Sequence, residues 1–512
     1  MQAVHVDKGF ILSFTALASV ALLVALDGTS ISVALPIISN RLGGTAIQAF
    51  WTGTSYLLCS TVLQPSFGSL SQLFGRKPLI MLALLFFVVG AIVAATSQNF
   101  TIMIVGRSLQ GVGGGGVVTL IEIIITDLVP LQLRGHYFGM IGTVLSIGSV
   151  TGPVVGGGFA ERVIWRWIFY INVPIAGASL FLIPSSLKAH SSTPAPLKAK
   201  LRSIDYSGVV LFVASMTSFL IGVTWGGVIY PWRSVQTFCP IFLSMIGMIL
   251  FAYHETSRAV DPIIPISIFG TPTAIVGFIG VTAHGLILSC VLYYLPFYFE
   301  AVKGYTPILA GTALLPLTFT LCPSAIIVGL LITRWGRYRW AVIIGSFLAC
   351  LGSGILCIIN THTSVAGWVC LMLVPGLGLG FLFPALIYVI QTSAEPRHLT
   401  MAVAMCSFFR SLGQAVGIAI GGVIFQNCMY SNLMKYPAHV PHADEYSRDV
   451  ASLVETLRMM PGSAAKEDLK TAYSDSLRIV WAVCCALAGC SALLSWLIRD
   501  YNLIADEPVR EG

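Results

Sequence analysis

Residues 145–158 read Leu-Ser-Ile-Gly-Ser-Val-Thr-Gly-Pro-Val-Val-Gly-Gly-Gly, within a longer apolar run. Gly148, Gly152 and Gly156 are four residues apart and share one helix face, and Pro153 lies inside the same span. In water, this density of glycine and proline would prevent a stable helix. In a bilayer the backbone must form a helix, and a glycine face then admits a second backbone at close range. From the spacing alone, the stretch fits a close-packed helix pair as well as a transport element.

The composition of the whole chain indicates a polytopic membrane protein. Hydrophobic residues make up 56% of the 512 residues, and charged residues only 10%. A water-soluble domain cannot bury so large an apolar fraction. The net charge of +7 does not indicate a nucleic-acid partner, because the basic residues lie in short loops between apolar runs. The 12 cysteines lie mostly within apolar runs without a CxxC pair, which favours packing roles over a disulfide framework or a metal site.

Fourteen apolar runs are long enough to be transmembrane helices. They lie at about 10–35, 47–67, 78–97, 100–126, 137–160, 167–187, 204–226, 235–254, 273–297, 307–332, 340–360, 365–390, 399–426 and 477–498. Basic residues concentrate in alternate loops, for example at 76–77 and 334–339, so the positive-inside rule predicts that these loops and both termini are cytoplasmic. The long outer loop at about 427–476 is also basic, which the rule tolerates because long loops cross regardless of charge.

Two glycine patterns occur twice in the chain. The segment 68–76 matches 329–337, since each holds two glycines seven residues apart followed by arginine. Four glycines at 148–157 match four at 413–422 at nearly the same offset, which indicates two homologous halves. The predicted domains are a six-helix half at 1–187, a linker with two extra helices at 188–272, a second six-helix half at 273–498 and a cytoplasmic tail at 499–512. Paired six-helix halves are typical of transporters, with the substrate site between them near the midplane.

Five segments in a fixed order carry a family resemblance. They lie at 26–36, 68–77, 107–113, 148–157 and 165–174. Together they resemble the fourteen-span drug:proton antiporter group of the major facilitator superfamily, and within it the fungal multidrug and toxin exporters. The resemblance covers nearly the whole chain and implies an all-α fold of two six-helix halves plus two extra central helices. One position departs from the family: Gln72 stands where an acid is usual, so we expect a gate that is looser or differently latched.

The resemblance also implies roles for two glycine-rich segments. Gly148, Gly152, Pro153, Gly156 and Gly157 match the antiporter motif of span 5. A second set matches the gating loop between spans 2 and 3, and it comprises Gly68, Gly75, Arg76 and Lys77. For the basic residues of this loop, the alternative is that they fix the topology and contact lipid headgroups.

Ionisable residues inside apolar spans are the candidate proton-coupling groups, because such residues are costly there and usually pair or line a water-filled path. Asp27 in span 1 and Arg107 in span 4 lie at similar depth, so we expect them to pair and to couple proton binding to substrate release. A static structural pair is the alternative. Glu122, lower in span 4, is a second proton or cation site, unless it pairs near the surface.

Three further polar residues in the spans are candidates to line a substrate cavity. Arg410 could bind an anionic group or a helix-end carbonyl. His284 has a pKa suited to proton transfer, although a lone histidine among apolar residues is more typical of a core hydrogen bond. Gln64 in span 2 could give a polar contact to a ligand.

We therefore predict a transporter that exports small, mostly apolar organic compounds, such as a toxin, another secondary metabolite or a drug, in exchange for protons. An importer of a siderophore or other small molecule and a non-transporting receptor or scaffold are the alternatives. An enzyme is not expected, because the GxGxxG pattern at 111–116 follows no strand and lies inside a span. We predict no cofactor, no metal, no nucleic-acid partner and a monomer. The predicted location is the plasma membrane, with a vacuolar or vesicular membrane as the alternative.

Overall fold

The computed structural model describes residues 8–43, 46–187, 196–227, 229–259, 261–436, 439, 442–448, 450–500 and 503. This part of the chain is built of helices: α1 (Lys8–Leu42), α2 (Ala46–Val62), α3 (Gln64–Phe74), α4 (Arg76–Ala95), α5 (Phe100–Leu128), α6 (Arg134–Arg162), α7 (Trp167–Tyr170), α8 (Asn172–Ser186), α9 (Leu197–Arg202), α10 (Tyr206–Trp225), α11 (Val235–Ser257), α12 (Pro272–Ala301), α13 (Pro307–Thr312), α14 (Leu315–Trp335), α15 (Arg339–Leu356), α16 (Val365–Ser393), α17 (Leu399–Leu433), α18 (Ala443–Arg448), α19 (Val450–Met459) and α20 (Ala464–Ser495). The all-α fold is thus confirmed. The predicted tail at 499–512 and the chain ends lie largely outside the described residues.

Thirteen helical segments in the described ranges are long and apolar enough to cross a membrane. The other predicted span, at 47–67, corresponds to α2 and α3, which are separated at Leu63. Pro65 lies in the first turn of α3, where its missing N–H removes no helical hydrogen bond, and the Phe67 amide then donates to the Leu63 carbonyl at 3.1 Å. The chain therefore continues as helix after a bend, which the apolar pattern alone did not show.

The long loop is shorter than predicted at both ends. Helix α17 continues past 426 to Leu433, and α20 begins at Ala464 rather than near 477. The Ser463 side chain accepts a hydrogen bond from the Lys466 amide and so caps α20. The polar turns that follow this cap are helical although they carry charges, and α18 and α19 lie in the remaining loop.

The glycine faces pack the fifth long helix of each half onto the first. We call α1–α8 the first half and α12–α20 the second half. In the first half, a Cβ atom at Gly156 would collide with the Ser30 carbonyl of α1. In the second half, a Cβ atom at Gly413 would collide with the Thr282 carbonyl of α12. The two glycine patterns therefore make the same helix contact in both halves, as a shared ancestry of the halves would produce.

The other repeated pattern packs the second helix of each half onto the fifth helix of the other half. Gly68 of α3 faces Ala404 of α17, and Gly329 of α14 faces Gly135 of α6, in each case too closely for a Cβ atom. Both segments end at a glycine with positive φ, 92° at Gly75 and 67° at Gly336, a conformation that glycine adopts at no steric cost. We call the bundle end at these turns the arginine end, because Arg76 and Arg337 follow them.

The inserted helices α10 and α11 lie beside the junction of the halves. Leu220 of α10 packs with Val62 of the first half and Ala415 of the second. The ring of Phe212, also on α10, lies 5.3 Å from the ring of Phe408 on α17. Helix α10 thus touches both halves, whereas α11 packs chiefly on α10 and leaves most of its surface exposed.

A valine at position 156 is expected to destabilise the folded protein. Its side chain would force α6 away from the Ser30 carbonyl, and overpacking of this kind costs roughly 1–3 kcal/mol. Gly158→Val is the matched control, because a Cβ atom at Gly158 has no neighbouring atom within 4 Å. The measurement is the thermal unfolding midpoint of the purified protein in detergent. Equal midpoints for the two variants would show that the glycine face does not set the α1–α6 distance.

Candidate functional site

The predicted Asp27–Arg107 contact is present and fully buried. Nη1 of Arg107 on α5 lies 2.6 Å from Oδ2 of Asp27 on α1, and both side chains are 0% exposed. The Arg107 guanidinium also lies over the Tyr56 ring, 4.3 Å from its centroid, and its Nε donates to the Thr52 carbonyl at 3.3 Å. Helices α1, α2 and α5 therefore meet at this pair.

Two amide side chains complete the surroundings of Asp27. Asn172 Nδ2 donates to Asp27 Oδ1 at 2.6 Å, and Gln110 Nε2 donates to the same oxygen at 3.1 Å. Gln110 Oε1 in turn accepts from Arg107 Nη1 at 3.0 Å. Asp27 thus accepts hydrogen bonds from two side chains of α5 and one of α8. Sequence reasoning missed both amides as site residues, although Gln110 follows Arg107 by one helical turn and Asn172 is the amide residue of the 165–174 segment.

This cluster keeps unused hydrogen-bonding capacity. Arg107 Nη2 and Asn172 Oδ1 are buried and make no hydrogen bond within the described part of the chain. Arg107 Nη2 is a donor and Asn172 Oδ1 is an acceptor, so a group that enters the site could form hydrogen bonds with both.

A second buried ion pair links the two halves. Arg410 Nη1 of α17 lies 2.6 Å from Glu122 Oε1 of α5, with side chains 9% and 4% exposed. The Ser407 hydroxyl, also on α17, donates to Glu122 Oε2 at 2.6 Å. The Arg410 guanidinium lies over the Phe383 ring at 4.4 Å from its centroid. Glu122 is therefore held by the opposite half, and Arg410 binds a carboxylate of the protein.

The other two candidate cavity residues lie on either side of α17. Gln64 Nε2 donates to Ser411 Oγ at 2.9 Å, which is a second polar contact between the halves. His284 Nε2 lies 3.1 Å from the Leu379 carbonyl inside the second half. The structure thus brings Gln64 to the junction of the halves and gives His284 a core hydrogen bond.

The gating-loop residues hold the arginine end together. Arg76 Nε lies 2.8 Å from Asp127 Oδ2, and Arg76 Nη2 donates across the halves to Thr400 Oγ1 at 3.0 Å. Lys77 Nζ donates to the Pro184 carbonyl at 2.6 Å inside the first half. Asp127, near the end of α5, is thus the ion-pair partner of Arg76. Arg76 thus links the two halves by a hydrogen bond, four residues after Gln72, the position where the family usually has an acid.

Further hydrogen bonds close the halves at the same end. The Tyr388 hydroxyl of α16 accepts from the Gly135 amide at 2.8 Å and donates to the Gln132 carbonyl at 3.0 Å. Arg134 Nη1 donates to Gln391 Oε1 at 3.0 Å. Sequence reasoning missed these contacts, because their partners are more than 250 residues apart. All of them join the two halves at the arginine end.

The antiporter-motif helix α6 lies between α1 and the second half. A Cβ atom at Gly152 would lie 2.9 Å from the Leu26 carbonyl, one residue before Asp27. On another side of α6, Pro153 lies 3.9 Å from the position that a Cβ atom of Gly311 on α13 would take. Gly148 and Gly157 also lie on this helix, Gly148 against Ala25 and Gly157 in a buried position. A movement of α6 relative to the second half would therefore displace the atoms that pack on the α1 backbone next to Asp27.

The comparisons with known proteins identify the class. The family model of the Major Facilitator Superfamily matches residues 17–418. The chain belongs to this superfamily, and it is a multi-pass membrane transporter.

Similar proteins with curated names are fungal transporters. MFS transporter L2 of Phoma sp. (strain ATCC 20986 / MF5453) is 46% identical, over 98% of this chain and 84% of that protein. MFS-type efflux pump LUC4 of Fusarium sp. is 34% identical, over 96% of this chain and 88% of that pump. The Acurin A biosynthesis cluster MFS-type transporter of Aspergillus aculeatus is also 34% identical, over 96% and 90%. These names support an efflux transporter.

Solved structures share the fold at low sequence identity. The human organic anion transporter MFSD10 (TETRAN) superimposes with a TM-score of 0.57 at 14% identity, covering 94% of this chain and 100% of that one. The proton:xylose symporter XylE superimposes with a TM-score of 0.58 at 13% identity, covering 96% of both chains. The major facilitator fold predicted from the five segments is thus confirmed.

Proposed function

We propose that this transporter exports small, mostly apolar organic compounds in exchange for protons, and that a secondary metabolite or a drug is among them. The observation that carries the proposal is the buried cluster of Asp27 with Arg107, Gln110 and Asn172. A carboxylate in the bilayer interior costs free energy, and ionisable residues in such positions typically have a function. The names of the efflux relatives support the direction, and the Acurin A cluster transporter supports a secondary metabolite.

In this mechanism Asp27 alternates between a charged and a protonated form. The charged form accepts hydrogen bonds from Arg107, Gln110 and Asn172, as in the structure. A proton that arrives from outside neutralises the carboxyl, weakens its attraction to Arg107 and frees donors at the site. The change is passed to α6, whose glycine face lies against α1 beside Asp27, and the substrate is released. Substrate loading from the cytoplasm or the inner leaflet then displaces the proton.

Glu122 acts as the second titratable group, at the junction of the halves. While it is charged, its contacts with Arg410 and Ser407 tie α5 to α17. Its protonation would remove the ionic part of this tie, so opening of the arginine end and proton uptake would be linked. Arg410 would then be free to contact a substrate, together with Gln64 and the nearby rings of the second half.

We further propose that the arginine end and both termini face the cytoplasm of a plasma-membrane monomer. The support is the concentration of basic residues at this end, which the positive-inside rule places in the cytoplasm. On this orientation, the structure has its cytoplasmic end closed, as alternating access requires when the site is accessible from outside.

The test is efflux from cells that express the chain, with a panel of lipophilic dyes, azoles and fungal metabolites. We expect at least one compound to leave faster than from cells carrying an empty vector, and we expect a protonophore to abolish the difference. Export that survives the protonophore would point to another driving ion. Accumulation in place of export would favour the importer, and no movement of any compound by folded surface protein would favour the receptor.

A further inference from the structure

The lipid-facing surface of the second half carries an apolar groove between α15 and α20. Its volume is 260 Å³, and it is lined by Ile343, Ile344, Phe347, Leu348, Ala492 and Trp496. A second groove of 320 Å³ continues from Phe347 to Ile358 along the same helix. From residue 343 to its end at 356, α15 runs about 20 Å along the two grooves, which exceeds the depth of one leaflet of a hydrocarbon core about 30 Å thick. This length fits one extended acyl chain.

Arginines surround the entrance of the groove at the arginine end. Arg339 begins α15 one turn before Ile343, and its Nη2 donates to the Trp496 carbonyl at 2.8 Å. Its Nε is buried and makes no hydrogen bond to the described residues. The Arg337 side chain is 68% exposed, and among the described residues Asp500 lies 4.0 Å from it. An N–H donor of Arg339 therefore lies beside Trp496, which lines the groove, and the exposed guanidinium of Arg337 belongs to a residue two positions earlier.

The charge of this entrance is positive among the residues that the structure describes. Arg334 lies in the last turn of α14 and Arg499 follows α20, so four arginines and one acid, Asp500, lie near the ends of α14 and α20 and the start of α15. Guanidinium groups bind phosphate through paired N–H donors, and each basic residue near an anionic leaflet strengthens the attraction. The entrance thus favours a negatively charged headgroup.

Tryptophans mark the depth of the membrane interface at the same place. The rings of Trp335 and Trp340 lie 4.9 Å apart, and Trp340 Nε1 donates to the Arg337 carbonyl at 2.9 Å. Trp335 and Trp496 are exposed. Tryptophan collects at the level of lipid headgroups, where its polar N–H and apolar ring are both satisfied. The arginines therefore lie at headgroup level and the groove lies in the hydrocarbon below.

We propose that the α15–α20 groove binds a phospholipid with an anionic headgroup. Arg337 and Arg339 contact the phosphate and the charged headgroup, and one acyl chain lies along α15. A sterol or a zwitterionic phospholipid would fill the groove without using the excess positive charge. The site lies on the outer surface of the second half, away from the junction of the halves, so it is independent of the proposed export.

The test is native mass spectrometry of the purified full-length protein, titrated with phosphatidylserine or with phosphatidylcholine of the same acyl chains. We expect one phosphatidylserine to be retained in preference to phosphatidylcholine. Arg339→Gln should lower this retention about fivefold, the contribution of one basic residue near an anionic lipid. Ala492→Phe should lower the retention of both lipids, because it fills the groove. Arg397→Gln is the matched control, since Arg397 is a 72% exposed arginine at the same end away from the groove.

Three results would overturn the proposal. Equal losses in Arg339→Gln and Arg397→Gln would show a general attraction to surface charge. Equal retention of the two lipids by the unchanged protein would show that the arginines do not select the headgroup. Unchanged retention in a folded Ala492→Phe variant would show that no acyl chain occupies the groove. If Arg339→Gln does not fold, because it loses the contact to Trp496, Arg337→Gln gives the same test with an exposed side chain.

Discussion

Asp27→Asn is expected to reduce export to the level of cells without the transporter. Asparagine cannot take up the proton, and it leaves the Arg107 guanidinium buried without a counter-ion. Removing one partner of a buried ion pair also costs about 3–5 kcal/mol of folding stability. The measurement is efflux of a compound found in the panel above, normalised to the amount of folded protein at the cell surface.

A double variant separates coupling from folding. Asp27→Asn with Arg107→Gln removes both buried charges, so it is expected to be more stable than Asp27→Asn and still unable to use the proton gradient. A readout that needs no substrate is the infrared absorption of protonated buried carboxyls as the pH is lowered: both variants should lack the band that Asp27 contributes and keep the band from Glu122. Export by the folded double variant that a protonophore still abolishes would exclude Asp27 as the coupling acid.

Glu122→Gln is expected to make the arginine end open more often. Glutamine is neutral, so the variant loses the charged contact between α5 and α17, and charged hydrogen bonds contribute about 1.5–3 kcal/mol. The population of the open form should therefore rise roughly tenfold or more. The native reporter is Cys406, which is 1% exposed and lies 3.7 Å from Arg410 Nη2. The folded protein is labelled with N-ethylmaleimide, and the alkylation of Cys406 is then measured on the peptide that contains it. The rate should rise as the open form becomes more populated.

Two controls accompany this measurement. Cys290 is buried inside the second half, where its thiol donates to the Gly417 carbonyl, so its alkylation should stay unchanged. Glu395→Gln removes an acid at the same end whose partner Arg397 is exposed, and it should leave Cys406 protected. If Glu122→Gln leaves Cys406 as protected as in the unchanged chain, the buried pair does not hold the halves together.

The sequence predicted the parts of this molecule that depend on local spacing. The glycines at 148, 152 and 156 predicted a close helix partner, and the partner is α1. Asp27 and Arg107 could be matched by depth, because a regular rise along two spanning helices fixes depth from residue number. The glycines before Arg76 and Arg337 could be recognised by their repeated spacing. In the structure both form turns with positive φ, a conformation confined almost wholly to glycine.

What the sequence did not predict depends on how the halves meet. Glu122 and Arg410 were each recognised as unusual, but no spacing links residues 288 positions apart. The hydrogen bonds of Tyr388 and Gln391 to the first half depend on how the two halves pack at the arginine end, which no local spacing specifies. Gln110 and Asn172 are neutral, so neither stood out as an intramembrane charge does.

Helix α10 makes the two bilayer-facing sides of the junction between the halves different from each other. Two halves related by a repeat meet along two lines that face the bilayer, which we call seams. A lipophilic compound could pass from the bilayer between the halves at either seam. Leu220 packs with Val62 and Ala415, so α10 is wedged over the seam that α2 and α17 form. The seam that α6 and α14 form lies on the other side, away from α10. On the proposed export, a compound entering from within the membrane would therefore pass between α6 and α14, and the width of this passage would depend on α6, which carries the glycines at 148–158.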